Sequence, residues 1–198
     1  MRGVGVARHD GDHPCPGDHL WWAADYAPRG RPVGPRRTAA SAASTSATTR
    51  PRSTPQQLFA LLSTPTRHQE IDGADMLRGV EGTTELGGVG DEFVMNMHNG
   101  DLGDYQMKNT VTSFEKDRVI GWAPAMHPID AKKDKIGDVR AEGHTYTWHL
   151  EPEGDGTTVT QVYDWSGVQD QDFRGFFPML SEQQLADSIE NAGRAASS

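Results

Sequence analysis

The sequence contains little cysteine and no long apolar run. Its single cysteine, Cys15, excludes an internal disulfide framework and is typical of a reducing compartment. The longest apolar run near the start covers residues 20–24, between Asp18 and Asp25. That run is too short for the core of a secretory signal and far shorter than the ~20 apolar residues of a membrane-spanning helix. We therefore expect a cytoplasmic protein without a membrane span.

Basic residues are scarce over most of the chain. The 198 residues include 19 Lys and Arg against 28 Asp and Glu, which gives a net charge of -9. Residues 1–54 hold eight Arg and four Asp, whereas residues 55–198 hold eleven basic and twenty-four acidic side chains and so carry a net charge of -13. A region with this charge repels phosphate backbones, and we predict no nucleic acid partner.

The first 53 residues lack Ile, Phe, Asn, Gln, Lys and Glu altogether. They consist mainly of Ala, Gly, Pro, Arg, Ser and Thr, and their apolar residues follow neither a helix period nor a strand period. Such a segment buries too little apolar area to offset the entropy of the ordered chain. We therefore predict a disordered or atypical tail over residues 1–53 and one domain over residues 54–198.

The tail contains residue types that bind zinc, namely His9, His13, Cys15 and His19. Their spacing matches no closed zinc module, and Gly and Pro residues interrupt it. The chain also has no phosphate-binding loop and no dinucleotide fingerprint. We therefore predict no metal site and no cofactor.

Two segments carry the signals of helix N-termini. Thr54 precedes a proline and has Gln57 three residues later, the arrangement of a capping box before an apolar face. A second short helical turn is expected over residues 66–71. Ser181 and Gln184 form another capping box, and it opens a final helix with a thin apolar stripe of Leu185, Ile189, Ala192 and Ala196.

Between these helices, apolar and polar residues alternate in six segments separated by Gly-rich or Asp-containing turns, which predicts strands. The predicted strands cover residues 76–82, 92–98, 105–115, 118–126, 144–151 and 157–166. Alternation is clearest in Phe93, Met95 and Met97, and it recurs in Tyr146 and Trp148. One face of the sheet is therefore expected to be apolar and rich in aromatic residues and methionine.

The order of a helix pair, a six-strand meander and a long closing helix resembles the helix-grip fold of the START and Bet v 1-like (SRPBCC) superfamily. Four stretches carry the resemblance, and they cover residues 55–73, 90–97, 114–122 and 156–165. The resemblance implies an α+β fold in which a curved antiparallel sheet of six or seven strands surrounds the C-terminal helix. It also implies functions of the polyketide cyclase/dehydrase or lipid-transport type.

One feature departs from that superfamily, whose members begin with a strand just before the first helix. Residues 43–53 hold this place here, and they have almost no apolar side chains. Either this poor strand pairs with the sheet, or one sheet position is empty and exposes an edge. The sequence leaves both possibilities open.

The apolar face suggests a binding site for a small apolar ligand, because methionine and aromatic walls with a few polar tips are typical of such pockets. The residues predicted to contact the ligand are Phe93, Met95, Met97, Tyr105, Met107, Trp122, Tyr146 and Trp148. The alternative is a solid core built from the same residues, in a structural or interaction module. Residues 130–142 are predicted to form a solvated loop or a flap over the entrance.

Catalysis is uncertain from the sequence, which has no nucleophile elbow. On this fold, an enzyme of the cyclase, aromatase or dehydratase type would position its substrate and add general acid-base help. The weak candidates are Tyr105, Asn109 and Tyr163, and we place Tyr163 on the inner face of its strand. Asp164 then points the other way and is expected to make a turn contact. The oligomeric state is left open.

Overall fold

The computed structural model describes residues 43–82 and 84–198, which form an antiparallel sheet and a set of helices. The strands are β1 Ser44–Thr49, β2 Leu77–Gly82, β3 Glu92–Asn99, β4 Gly103–Glu115, β5 Val119–His127, β6 Thr145–Glu153 and β7 Gly156–Asp164. The helices are α1 Pro55–Leu62, α2 Lys133–Ile136, α3 Gln171–Arg174 and α4 Glu182–Ala196, with a 3-10 helix at Pro65–Ile71. The zinc-type residues of the tail, from His9 to His19, lie outside the described residues.

All seven strands belong to a single antiparallel sheet in the order β1-β7-β6-β5-β4-β3-β2. The six strands expected from alternation are all present, with ends within two residues of the predicted ones. The sheet curves around α4, and the predicted helix-grip fold is confirmed. Within the described residues, no helix combines the length and the apolar character that crossing a bilayer requires.

The poor first strand pairs with the sheet, and this corrects the predicted domain boundary at residue 54. β1 runs antiparallel to β7, with Ala47 opposite Gln161 and Thr48 bonded to Thr160 through their hydroxyls at 2.9 Å. Ala47 is buried, whereas most of the other side chains of β1 are at least half-exposed. The folded part therefore includes β1 and also Ala43, whose carbonyl oxygen accepts from the Trp165 N–H at 2.8 Å. The composition failed to predict the strand because an edge strand gains its stability from its neighbour's backbone, and it needs few apolar side chains of its own.

The segment that follows β1 also packs closely against the domain. A Cβ atom on Gly193 would lie 2.5 Å from the Cβ of Pro51, and one on Gly156 would lie 2.4 Å from the Pro51 carbonyl oxygen. The Ser53 hydroxyl donates to the Gly193 carbonyl oxygen at 2.8 Å. These contacts join residues 51–53 to α4 and β7.

The first helix begins as its capping box predicts. The Thr54 hydroxyl accepts from the Gln57 backbone N–H at 3.3 Å, and the Thr54 N–H donates to the Gln57 side chain at 2.9 Å. Its apolar side chains Leu58, Leu61 and Leu62 are almost fully buried. The expected second helical turn is the 3-10 helix.

The closing helix α4 begins at its predicted cap, Ser181, and buries most of the expected stripe, including Leu185 and Ile189. The turn after the 3-10 helix docks against it. The Gly73 N–H donates to the Ser188 hydroxyl at 3.1 Å, and a Cβ atom on Gly73 would lie 2.3 Å from the Gln184 carbonyl oxygen. A residue with a side chain does not fit between this turn and the helix.

Candidate functional site

The inner face of the sheet, which faces α4, carries all the residues that the sequence assigns to ligand contact. Strand pairing sets Met97 opposite Tyr105 and Met95 opposite Met107. It also sets Trp122 opposite Tyr146, and the same strands place Phe93 and Trp148 on this face. The eight predicted residues therefore share one surface. Their placement agrees with the prediction, although their contact with a ligand stays a prediction.

Part of this face is closed. Phe93, Met107, Trp122 and Trp148 are buried, with exposed fractions between 1% and 9%. They pack in the core with the leucines of α1 and with the apolar stripe of α4. These four side chains are closed to solvent, as the solid-core interpretation expects, and their contact with a ligand stays a prediction.

The remainder of the face is partly open. Met95, Met97, Tyr105 and Tyr146 pack against the core but stay half-buried. Each of these side chains faces inward and retains some solvent-accessible surface. We call these four residues the inner-face site.

The inner-face site contains adaptable side chains rather than a rigid wall. Methionine has three rotatable bonds and a polarisable sulfur, so Met95 and Met97 can change rotamer to admit a guest. Elsewhere on the described part of the chain, a cavity of about 140 Å³ lies within residues 129–140 and one of about 670 Å³ lies between the end of β1 and the end of α4. Neither includes a residue of the inner-face site.

Tyrosine hydroxyls supply polar tips beside this site. The rings of Tyr146 and Tyr163 are parallel, with centroids 4.4 Å apart. Burial raises the pKa of both hydroxyls, and burial together with the charge of Asp72 raises the pKa of Tyr105 to about 12. The Tyr105 hydroxyl is close enough to influence the other two electrostatically. All three phenols are therefore protonated at neutral pH and available as hydrogen-bond donors.

Four buried side chains next to the site have polar atoms without a hydrogen-bond partner among the described residues. We call them the polar strip, and the atoms are His144 Nδ1, Trp148 Nε1, Gln161 Oε1 and the Tyr163 hydroxyl. The hydroxyls of Tyr146 and Tyr163 are close enough for each to affect the pKa of the other. Their geometry does not meet that of a hydrogen bond, so the Tyr163 hydroxyl counts among the unpartnered atoms. Buried polar atoms are normally paired, so a cluster of unpaired ones marks a place where a partner is expected.

Two histidines are buried among aromatic rings. His68 stacks on Trp122 with centroids 5.1 Å apart, and its Nε2 lies 2.8 Å from the Leu62 carbonyl oxygen. His144 contacts Phe173 and Phe177 at centroid distances of 5.5 and 5.4 Å. Burial lowers the pKa of each histidine to about 4. Both imidazoles are therefore neutral at pH 7.

The three weak catalytic candidates all lie on the inner face. Tyr105 belongs to the inner-face site and Tyr163 to the polar strip. Asn109 is buried, and its amide N–H donates to the Met107 carbonyl oxygen at 3.0 Å while its Oδ1 has no partner among the described residues. Asp164 accepts from the Ser166 N–H at 2.7 Å, which is the turn contact expected of it. Within the described residues, no group of His, Cys, Asp and Glu could hold a metal ion.

Sequence reasoning missed His68, Phe173 and Phe177 as parts of this interior. His68 did carry a signal, because Pro65, His68 and Ile71 are all buried and lie three residues apart, the period of a 3-10 helix. Phe177 carried no such signal in the sequence, because it lies in the connection between α3 and α4, which has no helix or strand period. The predicted loop over residues 130–142 contains the short helix α2, and whether it acts as a flap stays a prediction.

A protein-family model described as "Activator of Hsp90 ATPase homolog 1-like protein" matches residues 52–190, more than half of the chain. Among curated proteins, the chain is 27% identical over 110 residues to "Uncharacterized protein Rv0088" of Mycobacterium tuberculosis. That match covers 55% of this chain and 42% of the relative, so the chain spans less than half the length of that relative.

Solved structures share the fold at low sequence identity. Protein Ms6760 from Mycobacterium smegmatis superposes with a TM-score of 0.57 at 11% identity, covering 84% of this chain and 98% of that one. The di-domain ARO/CYC StfQ from the steffimycin biosynthetic pathway gives a TM-score of 0.55 at 10% identity, covering 78% of this chain and 50% of that one. At these identities the similarity concerns the fold alone.

Proposed function

This chain belongs to the Activator of Hsp90 ATPase homolog 1-like protein family, within the SRPBCC superfamily that its sequence resembles, and from this premise we propose that it binds a small molecule on the inner face of its sheet. The ligand is apolar or amphipathic, such as a lipid, a polyketide or an aromatic metabolite. The observation that carries the proposal is the inner-face site.

The composition of the inner-face site supports binding. Met95 and Met97 supply adaptable apolar surface, and Tyr105 and Tyr146 supply aromatic surface with one hydroxyl each. Ligand pockets typically combine predominantly apolar walls with a few placed polar groups. Because these four side chains pack against the core and are still partly exposed, they are available to a guest without unfolding of the sheet.

Binding is favoured over chemistry because the fully buried side chains among the described residues include no ionised group, and the Asp72 carboxylate that acts on Tyr105 is only half-buried. Among the described residues, the buried polar side chains are Ser, Thr, Asn, Gln and His, and none is Asp, Glu, Lys or Arg. His68 and His144 are neutral, and the buried tyrosines stay protonated. A general base poised near neutral pH is therefore not found among these groups.

A second candidate function is substrate positioning in a cyclase, aromatase or dehydratase-type reaction. The protonated hydroxyls of Tyr105 and Tyr163 favour it, since each can donate a hydrogen bond to a carbonyl oxygen and stabilise developing negative charge. The fold shared with StfQ is consistent with such a role. The test measures turnover of a poly-β-ketone analogue by the Tyr105→Phe and Tyr163→Phe variants. If both variants convert the analogue as fast as the unmodified chain does, neither tyrosine is the hydrogen-bond donor of the reaction.

The proposal is tested by thermal shift and native mass spectrometry with a panel of fatty acids, phospholipids, sterols, polyphenols and polyketide aromatics. We expect at least one class to raise the melting temperature in a saturable way and to appear as a one-to-one complex. Met95→Glu should abolish the effect, because it places a charge on the wall of the site. The matched variant Val94→Glu, on the outer face of β3, should retain it. Absence of binding across the panel would contradict the proposal.

A further inference from the structure

The polar strip surrounds the half-buried ring of Tyr146 on three sides. His144 and Trp148 lie two residues before and after it on the same face, and Tyr163 is its partner across the β6–β7 pair. Gln161 pairs with Trp148 on the same two strands. A guest that inserts beside the Tyr146 ring therefore meets side chains of the strip on neighbouring positions of the same face.

Keeping these atoms unpaired is unfavourable for the protein alone. A buried donor or acceptor that has lost water and found no partner bears its full desolvation penalty, and an apolar side chain of similar shape would avoid it. The four polar-strip side chains are nevertheless between 0% and 5% exposed. A ligand that supplies the missing hydrogen bonds would gain affinity from them.

The chemistry of the strip defines the group that fits it. The Trp148 indole N–H only donates, the Gln161 carbonyl oxygen only accepts, and the Tyr163 hydroxyl does both. A hydroxyl group, or a carbonyl beside a hydroxyl, can satisfy such a mixed set. A carboxylate or phosphate cannot, because it brings a charge into an interior with no buried cation among the described residues.

We propose that the site selects an uncharged ligand whose apolar body rests on Met95, Met97 and Tyr146 and whose hydroxyl or carbonyl group bonds to the polar strip. This inference rests on the proposed ligand-binding function and narrows it. It makes neutral ring compounds with a hydroxyl or keto group the preferred ligands. Fatty acids and phospholipids are correspondingly disfavoured.

The test compares three probes with the same ring system, namely naphthalene, 2-naphthol and 2-naphthoate, by equilibrium dialysis against the full chain at pH 7.5. We expect 2-naphthol to bind about tenfold more tightly than naphthalene, the ratio that one well-formed neutral hydrogen bond supplies. The carboxylate should bind most weakly. Equal affinity for 2-naphthol and naphthalene, or tighter binding of 2-naphthoate, would overturn the inference and leave ligand binding itself intact. If none of the three binds while a compound of the thermal-shift panel does, the inference is overturned and the proposed function stands; if the panel fails as well, both are contradicted.

A pair of matched variants locates the effect on the strip. Gln161→Leu removes an acceptor on the inner face, and Gln106→Leu makes the same change on the outer face, where Gln106 bonds to Asn96. We expect Gln161→Leu to bind 2-naphthol and naphthalene equally, and Gln106→Leu to keep the tenfold preference. Tyr163→Phe is a second variant that removes a single hydroxyl and should reduce the preference in the same direction. If both inner-face variants still bind 2-naphthol about tenfold more tightly than naphthalene, the polar strip does not bind the hydroxyl group of the ligand.

Discussion

Tyr146 and Tyr163 stack with their ring centroids 4.4 Å apart and their planes within 3° of parallel. The pair lies on β6 and β7, where the buried part of the inner face meets its half-open part. Tyr163 is fully buried and Tyr146 is half-buried. The stack therefore connects the sealed core to the surface on which we propose that a ligand rests.

The edge strand β1 is expected to be essential to the fold. Ala47→Asp would bury a charge opposite Gln161, and we expect it to lower the free energy of unfolding by at least about 2 kcal/mol. Ser46→Asp, at the adjacent exposed position, should change it by less than about 0.5 kcal/mol. Urea denaturation measures both. Equal stability of the two variants would mean that β1 does not contribute to the fold.

The docking of Gly73 on α4 predicts a second stability effect. Gly73→Ala places a methyl group against the Gln184 carbonyl oxygen and the Ser188 backbone, and overpacking of this kind typically costs about 1–3 kcal/mol. Gly88→Ala is the control, because no atom lies within 4 Å of the added Cβ. A difference of less than about 0.5 kcal/mol between the two urea curves would contradict the close contact.

The buried histidines predict a dependence of stability on pH. Their pKa falls from 6.5 to about 4 on folding, so the unfolded chain binds more protons than the folded one between these values. The contribution of these two histidines to stability is therefore complete above about pH 6.5 and declines as the pH falls toward 4, by up to about 1.4 kcal/mol per pH unit for each histidine.

A variant of one histidine tests this sign. His68→Gln should lose part of the decline in unfolding free energy between pH 7.5 and pH 5, whereas His127→Gln, at an exposed position, should not. If the unfolding free energies of His68→Gln and of the unmodified chain decline equally over this interval, His68 is not buried in its neutral form in the folded protein.

Local signals were sufficient to predict the six strands β2 to β7 and the helices α1 and α4. The alternation of Phe93, Met95 and Met97 identified a strand with one apolar face. The capping residues Thr54 and Ser181 predicted where α1 and α4 begin. These features depend on residues close together in the chain. They can therefore be deduced before the fold is known.

Features that depend on distant partners could not be deduced in the same way. β1 is stabilised by pairing with β7, more than a hundred residues away, and its own side chains gave no strand pattern. The burial of His144 depends on Phe173 and Phe177, which the chain brings back over the sheet from the connection before α4. The division of the inner face into closed and half-open parts follows from the same long-range packing.

The apolar character of the site predicts how a charge would act there. Met95→Glu should weaken binding of any apolar ligand at least about tenfold, because the new carboxylate must lose water when the ligand covers it. Val94→Glu lies beside it on the outer face and near Lys108, its cross-strand neighbour, and should leave the dissociation constant unchanged. Circular dichroism confirms that each variant folds, and fluorescence titration of the tryptophans measures binding.

The most direct test of the account follows the methionine methyl groups by NMR while the chain is titrated with 2-naphthol and, separately, with the panel compound that gives the largest thermal shift. Met95 and Met97 lie on the inner-face site, whereas Met179 is exposed at 39% and lies outside it. We predict saturable shifts of the Met95 and Met97 resonances and an unchanged Met179 resonance. Binding that moves only the Met179 resonance, or leaves Met95 and Met97 unmoved at saturation, would contradict ligand binding on the inner face.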